Sequence, residues 1–510
     1  MRRLQSGPYE ALRSLRGMLP SSTLAALAAL GVCVTVALAA IGLPVLRPIG
    51  QQTSEQFGYS VAGKGDVNGD GFRDVVVGAP LFDSLGATDR GRVLVYFGGV
   101  APNEAADLVL LGVAANDHFG WSVSVGDVNG DSFADILVGA PLTDSASVTD
   151  RGSAYLYLGG AVPNNVVDLT LKGRSAGDHF GWSVGVGHYR GVSFADMLVG
   201  APLADSGAVA AASVSLDNGA TYEFYGGAVP DAIPDVVLVG ELAGDEFGFS
   251  VAVAPDINND GFGDIVVGAP YSNNSGTTDS GKGYVYFGDT RPIGAPSITY
   301  TGAPPSTNGH FGWSVAGAGS FNGAPGDIII GAPDEDPAAG VDAGKAYVFY
   351  NTSAAAAFTL KGAAGGDNLG WSVAGAGDVD ANGFAEVIVG SPNNDGAGAN
   401  AGRADVYFGG AAPDSSSDVI LFGERAGDQF GTAVASAGDV NGDATEEVVV
   451  GAPLYDGPSF TDDGRAYVFM VTSDTIPELA SPLLSPGALG GLVVLLGILA
   501  LRARRRVAAR

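Results

Sequence analysis

Seven times along this chain a Phe-Gly pair, once in a Leu-Gly form, is followed 20 or 21 residues later by Gly-Ala-Pro or its variant. The first motif begins at Phe57, Phe119, Phe180, Phe247, Phe311, Leu369 and Phe430, in steps of 62, 61, 67, 64, 58 and 61 residues. The second begins at Gly78, Gly139, Gly200, Gly268, Gly331, Gly390 (as Gly-Ser-Pro) and Gly451. Self-similarity at such a period means stacked units, none of which buries its apolar face alone. The repeat therefore overrides the domain count that 510 residues would suggest.

Each unit reads as four short strands. The first follows Phe-Gly, as in Trp121–Val125, and the second is a continuous apolar run, as in Asp327–Ile330. The third alternates and is rich in Tyr, as in Val93–Phe97 or Ala346–Tyr350, and the fourth is rich in Leu and ends in Gly, as in Leu108–Gly112 or Val419–Gly423. No segment between the ends carries a helical period, and 80 glycines supply turns. The expectation is an all-β, seven-bladed β-propeller over residues 45–473, which closes radially and hides its sheet edges. The last unit has no fourth strand after Phe469, and its counterpart lies at the front. Ile49–Gly58 aligns without a gap to Leu111–Gly120, so a strand near Val45–Ile49 is expected to complete the seventh blade.

Between first and second strands runs an acidic loop, Asp66-Val67-Asn68-Gly69-Asp70-Gly71-Phe72-Arg73-Asp74 in the first unit. Oxygen side chains fall at positions 1, 3, 5 and 9, and Phe72 at position 7 offers a backbone carbonyl. Alternate residues of a tight loop converge, and a hard divalent cation needs six to eight oxygens at about 2.3–2.6 Å. The set recurs as Asp127, Asn129, Asp131, Phe133, Asp135 and as Asp256, Asn258, Asp260, Phe262, Asp264. It recurs again as Asp378, Asp380, Asn382, Phe384, Glu386 and as Asp439, Asn441, Asp443, Thr445, Glu447. Five calcium sites are expected. The third unit has His188, Arg190 and Val192 before Asp196, and the fifth, Ser320–Asp327, is one residue short and lacks two carboxylates; both are expected to be dead. Magnesium fits less well because it retains its water, and metal-free Asx turns are the bland alternative. Affinities on the order of 10⁻⁴–10⁻³ M are usual for extracellular modules.

The Phe-Gly and Gly-Ala-Pro pair at this spacing resembles the FG-GAP repeat, found in the N-terminal propeller of integrin alpha subunits and in bacterial surface proteins. The resemblance covers roughly residues 45–473 and implies the propeller fold. It also implies ligand binding on the face away from the calcium loops, without naming a ligand. The leg domains and inserted metal-dependent domain of some integrin alpha subunits have no counterpart here.

Charge separates the ends from the body. The chain carries 55 acidic and 25 basic residues, but residues 51–475 hold only 15 of the basic ones. Such a body repels nucleic acid and anionic lipid and attracts cations. Residues 1–39 read as a signal peptide, an Arg-bearing start before an apolar run from Leu24 to Ile41 that contains Ala37-Leu38-Ala39; an uncleaved anchor is the alternative. Residues 474–482 read as a linker. Residues 483–510 read as a transmembrane or sorting tail, with an apolar run Leu483–Leu501 before an Arg cluster, resembling the C-terminal sorting tails of bacterial exported proteins; a plain membrane anchor is the alternative. Both ends predict an exported protein at the cell surface or outer envelope. The one cysteine, Cys33, lies in the first apolar run, so calcium rather than disulfides is expected to stiffen the body.

No catalytic site and no organic cofactor is expected. His118, His179 and His310 precede Phe-Gly, His188 lies in a dead loop, and Trp121, Trp182, Trp313 and Trp371 follow Phe-Gly or Leu-Gly. Positions set by the repeat are expected to be scaffold. The favoured function is an adhesion or ligand-binding propeller for a protein or glycan. The alternatives are a structural envelope or biofilm component, and a hydrolase with carboxylates in the channel. The long loops after Gly-Ala-Pro, Leu203–Gly219 among them, are the expected recognition surface.

Overall fold

A computed structural model describes residues 43–471 apart from 85, 146–147, 206–215, 275 and 290–293. The expected signal segment, linker and tail lie outside the described residues, as does most of the loop Leu203–Gly219.

The unit Ala40–Ser473 contains seven antiparallel four-stranded sheets. In the first blade the order is Ser60–Gly65, Asp74–Ala79, Arg92–Tyr96 and Leu108–Leu111. The inner strands pack on one another in chain order, and the last, Ala433–Gly438, packs on the first, so the blades form a closed ring. The apolar second strands are buried along their whole length in all seven blades. Neighbouring blades cover both their faces, which is why these segments do not alternate.

The two motifs meet at the seams between blades. A Cβ on Gly78 would sit 2.1 Å from the carbonyl oxygen of Gly120 in the next blade. That oxygen accepts the Ser60 hydroxyl at 2.8 Å. The contact recurs around the ring and ends with Gly451 against Gly58, which joins the seventh blade to the first. Only glycine allows this approach of two backbones. The adjoining Phe rings are buried against the third strand, Phe57 at 6.3 Å from Tyr96 and Phe430 at 5.3 Å from Tyr467.

The seventh blade takes its outer strand from the front of the chain. Leu43–Leu46 pairs with Arg465–Met470 through Leu43↔Met470, Pro44↔Phe469 and Leu46↔Val468. The ladder thus lies slightly ahead of the expected Val45–Ile49, with Ile49↔Arg465 as an isolated bridge. Pro48 has no N–H to give to a ladder, though its carbonyl still accepts the Ala466 N–H at 3.1 Å.

Candidate calcium loops and an aromatic channel mouth

The acidic loops are spirals held by their own side chains. In the first blade Asp66 accepts the N–H groups of Gly69, Asp70 and Gly71 at 2.7–3.1 Å. Asn68 accepts from Asp70 at 3.0 Å and Asp70 from Phe72 at 2.9 Å. The same bonds recur at Asp127, Asn129 and Asp131, and at Asp439, Asn441 and Asp443. Asp256, Asn258 and Asp260 repeat most of them, as do Asp378, Asp380 and Asn382. Each loop therefore gathers the oxygens of positions 1, 3 and 5 on one side.

Position 9 opens the second strand and is buried. Asp74 accepts the Val67 N–H at 2.6 Å and the Gly98 N–H at 2.9 Å. Burial pushes Asp74 up to about 7, those two bonds oppose the rise, and the carboxylates of Asp66 and Asp70 add to it. Burial likewise raises Asp135 to about 6, Asp264 and Glu447 to about 7, and Glu386 to about 8, with neighbouring loop carboxylates contributing in each case. In the sixth blade Asp378, Asp380 and Glu386 each bring an oxygen within 4.8 Å of the other two. Oxygen-only donors, converging carboxylates and an acid held out of water fit a hard divalent cation.

The two aberrant loops differ in kind. In the third blade Arg190 fills the space itself: its Nε donates to Asp196 at 2.9 Å, its Nη2 pairs with the other oxygen, and its guanidinium lies 3.7 Å over the Tyr225 ring. In the fifth, the Asp327 carboxylate accepts the N–H groups of Asn322 and Asn351 at 3.2 and 3.3 Å, and position 5 is Ala324.

The opposite face carries a feature that the sequence reading assigned to scaffold. The residue after each Phe-Gly immediately precedes an inner strand, at the end of that strand away from the acidic loops. Tyr59, Trp121, Trp182, Phe249, Trp313 and Trp371 form a chain of ring contacts at 4.6, 4.8, 5.6, 4.7 and 5.0 Å, each ring half-buried. Thr432 takes the seventh position. Reading the seven copies in register exposes this column; reading each copy alone does not.

Acidic residues recur beside the Phe-Gly turns, in the loops that lead to the third strands. Asp89, Asp150, Asp217, Asp279, Asp342, Asn400 and Asp462 all have positive φ. Their carbonyls accept the N–H groups of His118, His179, Glu246, His310, Asn368, Gln429 and Gln56 respectively, at 3.1–3.3 Å. Six of the seven are carboxylates. Burial lowers His118 and His179, against the opposing pull of Asp89, Asp150 and Asp217. The channel itself, about 610 Å³, is lined chiefly by Val, Ala and Gly. Among its described lining the titratable residues are Lys64 and His188, and no carboxylate is present.

The FG-GAP repeat matches residues 57–96, 119–157, 247–286, 369–407 and 430–469. The unmatched units, the third and fifth, are the two with aberrant loops. Over 163 residues the chain is 36% identical to integrin alpha-5 of Xenopus laevis, covering 30% of this chain and 15% of that protein. It is 34% identical over 167 residues to integrin alpha-PS5 of Drosophila melanogaster, covering 31% of this chain and 16% of that protein. It is also 26% identical over 230 residues to phosphatidylinositol-glycan-specific phospholipase D of Dictyostelium discoideum, covering 40% of this chain and 24% of that protein. The matched stretches thus span a quarter or less of these relatives.

Proposed function

We propose that this chain, which is an integrin-alpha-like FG-GAP repeat protein, is an exported, surface-displayed propeller that binds a partner protein through a basic group seated at the aromatic mouth. Five loops, carrying the position-1 residues Asp66, Asp127, Asp256, Asp378 and Asp439, hold calcium on the other face and stiffen the blades. The observation that carries the binding role is the aromatic circle with six aspartates in the adjoining loops. Ring faces attract a cation within about 6 Å, and the negative field of the aspartates raises its local concentration.

The phospholipase relatives favour a second reading, hydrolysis. The described channel lining does not support it, because carboxylate pairs for acid–base chemistry are missing there. The test titrates acetyl-arginine methylamide against the uncharged acetyl-norleucine methylamide, with tryptophan fluorescence as the readout. Saturable, salt-sensitive binding of the arginine compound alone is expected, weakened at least about tenfold by Trp182→Ala or Trp313→Ala. Equal responses to both compounds would overturn the reading. Release of phosphatidic acid from a phosphatidylinositol-glycan anchor would move it to the enzyme.

A further inference from the structure

The aromatic circle is broken at one place. Thr432 stands where the other six blades put a ring, and a notch of about 150 Å³ opens there between Trp371 and Tyr59. A cavity of roughly this volume accepts a benzene-sized ring. The five intact neighbour pairs meet at 45–50°, between an offset stack and an edge-to-face contact, with centroids inside the range over which aromatic pairs attract. A seventh ring in the notch would extend the same pattern from Trp371 to Tyr59.

The remaining lining is polar in a particular way. Gln56, Asn393, Gln429 and Thr432 all reach the notch. The Thr432 hydroxyl donates to the Gln429 carbonyl at 2.7 Å, the Gln429 amide to Asn393 at 3.3 Å, and the Asn393 amide to Asn368 at 2.9 Å. These donors are turned into the rim. The Gln429 side-chain oxygen has no hydrogen-bond donor among the described residues, so it can accept from a ligand.

We propose that this notch is a subsite for the phenol ring of a tyrosine on the partner polypeptide. The ring closes the aromatic circle as its seventh member, and its hydroxyl donates to the Gln429 carboxamide. A plain benzene ring would leave that acceptor unpaired. The proposal rests on the partner-binding reading above only in assigning the tyrosine to a partner.

The test uses the propeller unit Ala40–Ser473, which contains every blade and its core, and titrates p-cresol with toluene and methyl β-glucopyranoside as comparators. Saturation-transfer NMR and tryptophan fluorescence are the readouts. Binding of p-cresol is expected with a Kd on the order of 1 mM, and of toluene about fivefold more weakly. Thr432→Trp fills the notch and is expected to weaken p-cresol at least about tenfold, while Gln429→Leu removes the acceptor and is expected to bring p-cresol down to the level of toluene. Calorimetric melting checks that both variants fold. No p-cresol binding up to about 10 mM, undiminished binding to folded Thr432→Trp, or preference for the glucoside would overturn the subsite. Loss of the arginine response with p-cresol binding intact would overturn the basic-group reading and leave the notch standing.

Discussion

Arg190 does within the third blade what an ion is proposed to do in five others. It brings a positive charge to the buried position-9 carboxylate, Asp196, and stacks on Tyr225. Positions 1 and 5 of that loop, His188 and Val192, offer no carboxylate. Replacing the three together (His188→Asp, Arg190→Asn, Val192→Asp) recreates the donor pattern of the first blade. The expected outcome is a calcium stoichiometry by calorimetry of six instead of five; an unchanged value would mean that more than side-chain identity sets the site. Beside this loop Glu223 is fully buried, accepts the Tyr189 hydroxyl at 3.1 Å, and is pushed by burial up to about 7. Its folded pKa lies above its unfolded one, so between about pH 4.5 and 7 the folded state holds more protons than the unfolded state. Its contribution to stability is therefore lost as pH rises through that window. Glu223→Gln keeps the hydrogen bond without the charge and is expected to gain roughly 2 kcal/mol at pH 8 and little at pH 4, measured by urea unfolding.

The loops do not act as separate elements. Phe133 lies over Gly69 of the preceding blade, Phe194 over Gly130, Phe262 over Gly191, Phe384 over Gly323, and Phe72 over Gly442 across the ring closure. A Cβ at Gly130 would meet the Phe194 ring at 2.5 Å, and its φ of 76° is itself costly for any other residue. Where the following blade lacks this Phe, position 4 is not glycine but Asn259 or Ala381, both with positive φ. Gly130→Ala is expected to cost about 2 kcal/mol or more in urea unfolding, whereas Ala381→Gly is expected to be close to neutral. Each blade was legible in the sequence because its signals are local: buried apolar runs, alternating third strands, Asx-rich turns. The metal-type side chains were legible for the same reason, since their spacing of two follows from a tight loop. The Phe–Gly lids and the aromatic mouth were not, because each joins residues one full repeat apart. Trp121 beside Trp182 looks like idle repetition until the ring brings them to 4.8 Å. The closing strand is legible from the gapless alignment of Ile49–Gly58 with Leu111–Gly120, but its bounds are not, because the pairing shifts register between Pro44 and Leu46 and continues past Pro48 only as an isolated bridge at Ile49.

At the scale of the whole molecule two devices hold the ring, and they fail differently. The whole chain has a net charge of −30 and residues 51–475 hold only 15 basic residues, so the body gathers carboxylates that repel one another unless cations sit among them. At fiftyfold excess over Kd each calcium contributes roughly 2 kcal/mol by linkage, so chelation by EGTA is expected to lower the melting temperature by about ten degrees or more. Magnesium in place of calcium should restore little of it; full restoration would argue against calcium-specific loops. The second device is the outer strand of the seventh blade. Leu46 is buried with Val449, Val468 and Val75, so this strand ties the first blade to the last. A chain beginning at Gly50 uncovers that cluster and leaves Arg465–Met470 as an open edge with unpaired backbone groups. One beginning at Leu43 keeps both. The shorter chain is expected to melt well below the longer at saturating calcium and to associate through its exposed edge in sedimentation. Leu46→Ala in the longer chain should cost about 2–4 kcal/mol while leaving it monomeric, because the ladder survives the loss of the side chain. Adding the peptide Leu43–Gln52 should return the shorter chain to its monomeric state by pairing with the open edge. Equal melting of the two chains would show that calcium and the blade seams close the ring without the strand.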